Sequence, residues 1–246
     1  MSFSSRTWPR RSFSRVMALL ISAVLVLLFA AGERRPAIAQ ALEVDLALVL
    51  AVDCSYSVDA REFRLQMHGL AEAFRRPEIH KAIGNGAFGR IAVVLVQWSD
   101  DINQIVAVPW VVISHGDHAL DFAEVIDATP RKLAEGGTAI GSALQFSAAV
   151  LLTAPVTASR RVIDISSDGR NNRGVRPSLA RIEIIAQGIT INALPIINEW
   201  PTLDKYFEHQ VVGGPYHFLI VANDYDAYAQ AIYRKLLREI TGPGIS

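Results

Sequence analysis

From Glu43 onward the chain alternates apolar runs of six to nine residues with stretches in which apolar residues recur every three or four positions. The first kind predicts strands and the second amphipathic helices. Their alternation predicts an α/β fold with a doubly wound, mostly parallel sheet and helices on both faces. Six runs qualify as strands, at 44–52, 91–98, 105–113, 162–167, 189–196 and 217–222. Leu46 to Val52 and Ile91 to Val96 are apolar throughout instead of alternating, which buries both faces and puts these strands at the sheet centre. The run Ile105 to Ile113 contains Pro109, which has no N–H for a ladder and belongs on an edge. Only Ser99 to Gln104 separates it from the preceding strand, too little for a crossover helix, so this pair is expected to be antiparallel.

Asp59 with Glu62 three residues on is a capping box, and Phe63, Met67, Leu70 and Phe74 give the helix it opens one apolar face. Ile140, Ala143, Leu144 and Leu151 mark a second such face. Leu179, Ile182 and Ala186 mark a third, and Tyr228, Ile232 and Leu236 a fourth. All four read as core. No repeat, low-complexity tract or linker interrupts the pattern, so a single domain over 43–241 is expected.

The first 39 residues follow another rule. Arg6, Arg10, Arg11 and Arg15 stand without an acid, Val16 to Ala31 is almost wholly apolar, and Ala37-Ile38-Ala39 supplies a small-x-small site. The apolar run falls short of the roughly 20 residues of a membrane span. Residues 1–39 therefore predict a signal peptide, with the mature chain starting near Gln40 and located in the periplasm or outside the cell. Arg10-Arg11-Ser12-Phe13-Ser14-Arg15 resembles a twin-arginine signal, but Ser14 stands where that signal has an apolar residue, so this route and the general secretory route both stay open. The polar Glu33-Arg34-Arg35-Pro36 bridge leaves a retained anchor as a third course, and contact with a membrane is expected only in that form.

Composition narrows the function. The chain is 51% hydrophobic and 20% charged, as ordinary globular domains are. Those first 39 residues hold six of the 24 Lys and Arg but one of the 24 Asp and Glu, so the rest is acidic by about five charges and offers no basic field to nucleic acid. Cys54 is alone, so no internal disulfide forms and stability rests on burial. Cys54 itself reads as a small core residue.

In doubly wound sheets, ligands bind beyond the carboxyl ends of the strands. Three turns there are chemically unusual. Asp53-Cys54-Ser55-Tyr56-Ser57 puts a carboxylate and two hydroxyls at alternate positions, Ser166-Ser167-Asp168-Gly169 adds a second carboxylate, and Gly136-Gly137-Thr138-Ala139 presents a hydroxyl after paired glycines. Such residues also cap helices and build turns, so no one segment is diagnostic. Together they offer a hard divalent cation the oxygen-rich, partly neutral shell it prefers, and two carboxylates balance its charge.

Asp53-x-Ser55-x-Ser57, the distant Thr138 and the later Asp168 resemble the metal-ion-dependent adhesion site of von Willebrand factor type A domains, and the resemblance spans the mature chain. It implies hydroxyl ligation by Ser55, Ser57 and Thr138, and direct or water-mediated binding by Asp53 and Asp168. Mg²⁺ is the expected cation, with Mn²⁺ or Ca²⁺ as alternatives. The resemblance further implies a protein partner whose Asp or Glu completes the metal shell. Gln97-Trp98-Ser99, Gly213-Gly214-Pro215 and the Tyr233 to Ile240 helix end also resemble a little-characterised group of exported bacterial A-domain proteins.

Other signals carry less. Gly84-Asn85-Gly86-Ala87-Phe88-Gly89 spells a dinucleotide fingerprint but follows a helix and precedes a strand, the reverse of what phosphate binding needs, so no nucleotide cofactor is expected. His115-Gly116-Asp117-His118 reads as a solvated, helix-capping turn. Ser55 and Ser57 lack the G-x-S-x-G elbow of a hydrolase. Arg170 to Arg173 reads as a solvated loop that could rim the metal face. The chain is therefore read as a metal-dependent binding module and not an enzyme. Metal-dependent hydrolysis or phosphoryl transfer through the same acids is the alternative, and a purely structural A domain the third.

Overall fold

The structure, a computed structural model, describes residues 41–242; the expected export signal and its cleavage point lie outside them. Five strands form one sheet: β1 (Leu42–Asp53), β2 (Ile91–Trp98), β3 (Gln104–Ile113), β4 (Val156–Ser167) and β5 (Thr190–Pro195), in the order β3-β2-β1-β4-β5. All neighbours are parallel except β2 and β3. The unbroken apolar runs explain the centre of this order. In β1, Leu46, Leu48, Leu50 and Val52 feed the core on one face, while Ala47, Val49 and Ala51 feed that on the other.

Helices α1 (Ala60–Arg75), α2 (Pro77–Gly84), α3 (Gly116–Ala128) and α7 (Tyr228–Thr241) cover the first face. Helices α4 (Ile140–Leu152), α5 (Pro177–Ala186) and α6 (Leu203–Gln210) cover the second. No described helix is long and apolar enough to cross a membrane. The capping box opens α1 as expected: Asp59 accepts from the N–H groups of Arg61 and Glu62, and Glu62 accepts from that of Asp59.

The β2–β3 hairpin turns within Ser99 to Asn103, where the Ser99 N–H donates to the Asn103 carbonyl (3.0 Å). Pro109 is exposed on the outer strand, where the ladder shifts register between Leu95 and its neighbours, so its missing N–H costs no pairing. The Gly84 to Gly89 segment is the end of α2 and the loop from it to β2, and the N–H groups of Asn85, Gly86, Phe88 and Gly89 are already used. Phe88 N–H and Arg90 N–H donate to the Asp45 carboxylate (3.0 and 3.2 Å), and a Cβ on Gly86 would collide with it.

Two expectations need correction. The sheet has five strands, not six, because 217–222 reaches β5 only through isolated bridges, Ala193 with Leu219 and Ile196 with Ala222. Ala193 exchanges both ladder bonds with this segment, but the next donor in the register is Pro195, which has no N–H to give the Ile220 carbonyl. The ladder lapses there and resumes where Ala222 N–H reaches the Pro195 carbonyl (3.0 Å). The second correction concerns α5. Leu179, Ile182 and Ala186 face solvent, and the buried stripe is Pro177, Ala180 and Ile184. The helix carries two apolar stripes, and it is the one through Pro177, Ala180 and Ile184 that joins the core, while Gly141 of α4 lies against the turn before it, where a Cβ would strike the Val175 carbonyl.

Candidate metal centre

Three loops meet at the carboxyl ends of β1 and β4. Asp53 is the last residue of β1 and is fully buried. Its Oδ1 accepts from the Ser55 N–H (2.7 Å), and its Oδ2 accepts from the Ser167 hydroxyl at the end of β4. Ser55 and Ser57 hydroxyls lie 3.2 Å apart, and Ser57 donates to Asp168 Oδ1 (2.7 Å). The buried Tyr225 hydroxyl donates to the other oxygen, Oδ2 (3.0 Å). Thr138 comes down over Gly169: an added Cβ there would sit 3.3 Å from its Oγ1. Asp53, Ser55, Ser57, Thr138 and Asp168 thus come together from loops up to 115 residues apart.

Burial raises both acids, and a neighbouring negative charge adds to each. The Asp53 carboxyl is pushed up to about 7, by burial first and the neighbouring Asp168 charge second, against hydrogen bonds from Ser167 and Ser55. Asp168 is also raised, by burial first, with Glu199 on the rim adding to it while Ser57 and Tyr225 oppose. The Cys54 thiol beside them is buried and pushed up to about 12, so it stays protonated and is no thiolate ligand. Among the described residues no group of three His, Cys, Asp or Glu could hold a metal. A cation here would depend on hydroxyl oxygens, and the donor set, two carboxylates and three hydroxyls, fits a hard divalent ion.

Supporting residues fix these loops, and most carry no sequence signal. Arg131 spends its guanidinium on the carbonyls of Val58 (2.9 Å), Cys54 (2.6 Å) and Ser55 (3.1 Å), clamping the Asp53–Ser57 turn. Gln66, buried on α1, donates to the Asp53 carbonyl (3.3 Å) and accepts from Ser166. The glycine pair earns its place by close approach: Gly136 packs on Asp100 and Ser99, and a Cβ on Gly137 would strike Arg173. Gln97 holds Pro130 and Lys132, and the Ser99 hydroxyl donates to the Ala134 carbonyl (3.3 Å), so Gln97-Trp98-Ser99 anchors the segment leading to Thr138. Arg131→Met is expected to weaken divalent-metal affinity about tenfold while leaving the circular dichroism spectrum unchanged, the usual scale for an outer-shell positioning group. Calorimetric titration of the variant checks this.

The Arg170 to Arg173 loop is more than solvated. Asn172 Oδ1 accepts from Thr138 N–H (2.9 Å) and Asn171 Oδ1 from Gly141 N–H (3.1 Å), which ties the loop to the start of α4. With Tyr56, Glu199 and Trp200, it rims an open basin of about 770 Å³ over Ser57, Thr138 and Gly169. The other sequence signals lie elsewhere. His115 makes no capping hydrogen bond, and its ring stacks on His118 at 3.5 Å. Gly213 bridges to Ile191, and Gly214 adopts φ +94, where a Cβ would press on the Ile189 carbonyl.

The family described as "Protein of unknown function (DUF1194)" matches residues 43–244. No curated protein matches. Solved structures do. One is proximal thread matrix protein 1 from the mussel byssus, solved with a zinc-occupied MIDAS motif (18% identity, TM-score 0.61, covering 82% of this chain and 50% of that one). A von Willebrand factor type A protein from Catenulispora acidiphila is similar at 16% identity and TM-score 0.56, over 81% of this chain and 43% of that one. The vWF domain of the type V pili tip protein Mfa5 from Porphyromonas gingivalis is similar at 10% identity and TM-score 0.53, over 82% and 98%. The chain spans about half the length of the mussel protein. These likenesses establish the fold.

Proposed function

The chain belongs to the DUF1194 family and has the fold of von Willebrand A domains, and from that premise we propose that it is an exported protein-binding module. Residues 1–39 direct its export. Asp53, Ser55, Ser57, Thr138 and Asp168 hold a divalent cation, Mg²⁺ in the first instance. A bound cation would supply an open coordination position for the carboxylate of a partner.

The observation that carries this reading is the convergence of two carboxylates and three hydroxyls at one sheet end, with both acids raised by burial and Asp53 raised further by the Asp168 charge. Two buried carboxyls, one of them raised by the charge of the other, are costly to ionise without a cation, and the Tyr225 and Ser57 donors orient Asp168 without neutralising it. The matrix and pilus-tip origin of the similar structures, and the zinc in the mussel protein, support a metal-bearing adhesive role.

A capture experiment tests it. Immobilised protein is expected to retain a partner from an extracellular or periplasmic extract with 2 mM Mg²⁺, on the order of a working excess over such sites, and to release it with chelator. Thr138→Ala is expected to lose that capture with the fold intact, since alanine keeps the backbone N–H and C=O through which Thr138 is tied to Asn172. Retention that is indifferent to chelator, or undiminished in Thr138→Ala, contradicts the reading.

A further inference from the structure

The basin over the centre is rimmed by two exposed aromatics, Tyr56 (77% exposed) and Trp200 (46%). Single exposed apolar side chains are ordinary on protein surfaces. These two differ because they stand on separate loops that line one opening and because one is held in place. Arg170 places its guanidinium 5.2 Å from the Trp200 ring and 5.5 Å from that of Tyr206, and donates to the Thr202 hydroxyl (2.7 Å). Tyr206 in turn accepts from the Asn171 N–H (3.2 Å), and the Leu203 N–H closes a turn on the Trp200 carbonyl (3.0 Å). Trp200 is thereby ordered before any partner arrives, which removes much of the entropy that ordering an indole at an interface costs. Tyr56 sits between the two candidate ligand serines, with its N–H tied to the Gly136 carbonyl (2.9 Å). Preordered aromatics around a desolvating centre are the usual anchors of tight interfaces.

Charge decides what should flank the acidic group. Glu199, next to Trp200, lines the same basin. A second acid on the partner at that side would be repelled, whereas an apolar side chain would cover the indole. Arg170 and Arg173 on the remaining rim favour an acidic segment over a basic one. We propose that this surface selects a protein segment in which one acidic residue is flanked by aromatic or large apolar side chains, seated on Tyr56 and Trp200. The proposal rests on the metal-centre reading above.

Calorimetry on the Mg²⁺-saturated protein tests it with four probes: capped glycine-serine peptides with Phe-Asp-Phe, Ser-Asp-Ser or Phe-Asn-Phe at the centre, and trigalacturonate. Phe-Asp-Phe should bind about tenfold more tightly than Ser-Asp-Ser, and Phe-Asn-Phe and trigalacturonate should not bind. Trp200→Ala and Tyr56→Ala should each cut that preference to about threefold or less, with Mg²⁺ still bound when titrated directly. Equal binding of the two acidic peptides overturns the proposal, as does a preference that survives both substitutions. So does the absence of peptide binding to a protein that binds Mg²⁺, or binding of trigalacturonate instead. Failure of Mg²⁺ itself to bind removes the centre and with it the proposal, and the direct metal titration separates that outcome from the others.

Discussion

Asp53→Asn is expected to raise the melting temperature of the metal-free protein above neutral pH and, in the same molecule, to abolish the stabilisation given by Mg²⁺. The reason lies in burial. Asp53 is fully enclosed, and its carboxyl is pushed up to about 7 by that enclosure and by the charge of Asp168. An acid raised on folding keeps its proton in the native state at a pH where the unfolded chain has lost it. Stability from this group is therefore complete below about 4, where both states are protonated, and declines as pH rises towards about 7. The displacement is worth on the order of 4 kcal/mol. A divalent cation takes the place of the proton, so its stabilising effect grows over the same window. Thermal melts from pH 4.5 to 8, on the order of the window just derived, should show a falling metal-free wild type, a flatter curve with Mg²⁺, and an Asp53→Asn variant that is indifferent to metal and falls less than wild type, the rest of the fall belonging to the raised Asp164 and Asp168 carboxyls. A metal-free wild type that gains stability from pH 5 to 8, about the same window, would contradict the assignment.

Lys235→Met is expected to cost about 3–5 kcal/mol, or about 10 °C in melting temperature, because it strips the counter-ion from a fully enclosed charge cluster. Lys235 on α7 pairs with Asp164 of β4 and with Glu239 one turn on (2.7 Å), and all three are buried. Asn192 adds a hydrogen bond to Glu239 Oε1 (3.0 Å), but Asp164 Oδ2 and Glu239 Oε2 have no hydrogen-bond partner in the described structure. Burial, then Glu239, pushes the Asp164 carboxyl up to about 8, with Lys235 the opposing influence. Without the ammonium, the Asp164 carboxyl rises further and the native state takes up protons more readily than the unfolded chain. The loss should accordingly shrink as pH falls from 8 to 5, roughly the span in which raised carboxyls titrate. Chemical denaturation at both pH values checks it. A penalty under about 1 kcal/mol, the scale of an exposed pair, would show that the cluster is solvated.

How much of this was legible follows from what each residue announces. The central strands were, because uninterrupted apolar runs have no other place in a doubly wound sheet. The failing sixth strand turns on a single missing N–H at Pro195, whose effect depends on a register that periodicity does not contain. On α5 Leu179, Ile182 and Ala186 suggested the wrong face, since Pro177, Ala180 and Ile184 form a second apolar stripe and periodicity does not say which of the two meets the core. Helices α2 and α6, of eight residues each, hold too few turns for a stripe to stand out.

In the candidate centre, Asp53, Ser55, Ser57, Thr138 and Asp168 were visible because each occupies a turn at a strand end or a glycine pair. Arg131, Gln66, Tyr225 and Glu199 were not. Each is a lone polar residue in a helix or loop, and its role arises only when distant segments meet, as when Arg131 reaches the Cys54 carbonyl 77 positions away.

The most direct test is a calorimetric titration of the protein with Mg²⁺ and Mn²⁺, run beside Asp168→Ala. One ion bound per chain is expected, with an affinity lowered about 100-fold or more in the variant, beyond the cost of substituting a group that only orients a ligand. Wild-type protein that takes up no ion, or a variant that binds as tightly as wild type, would contradict it.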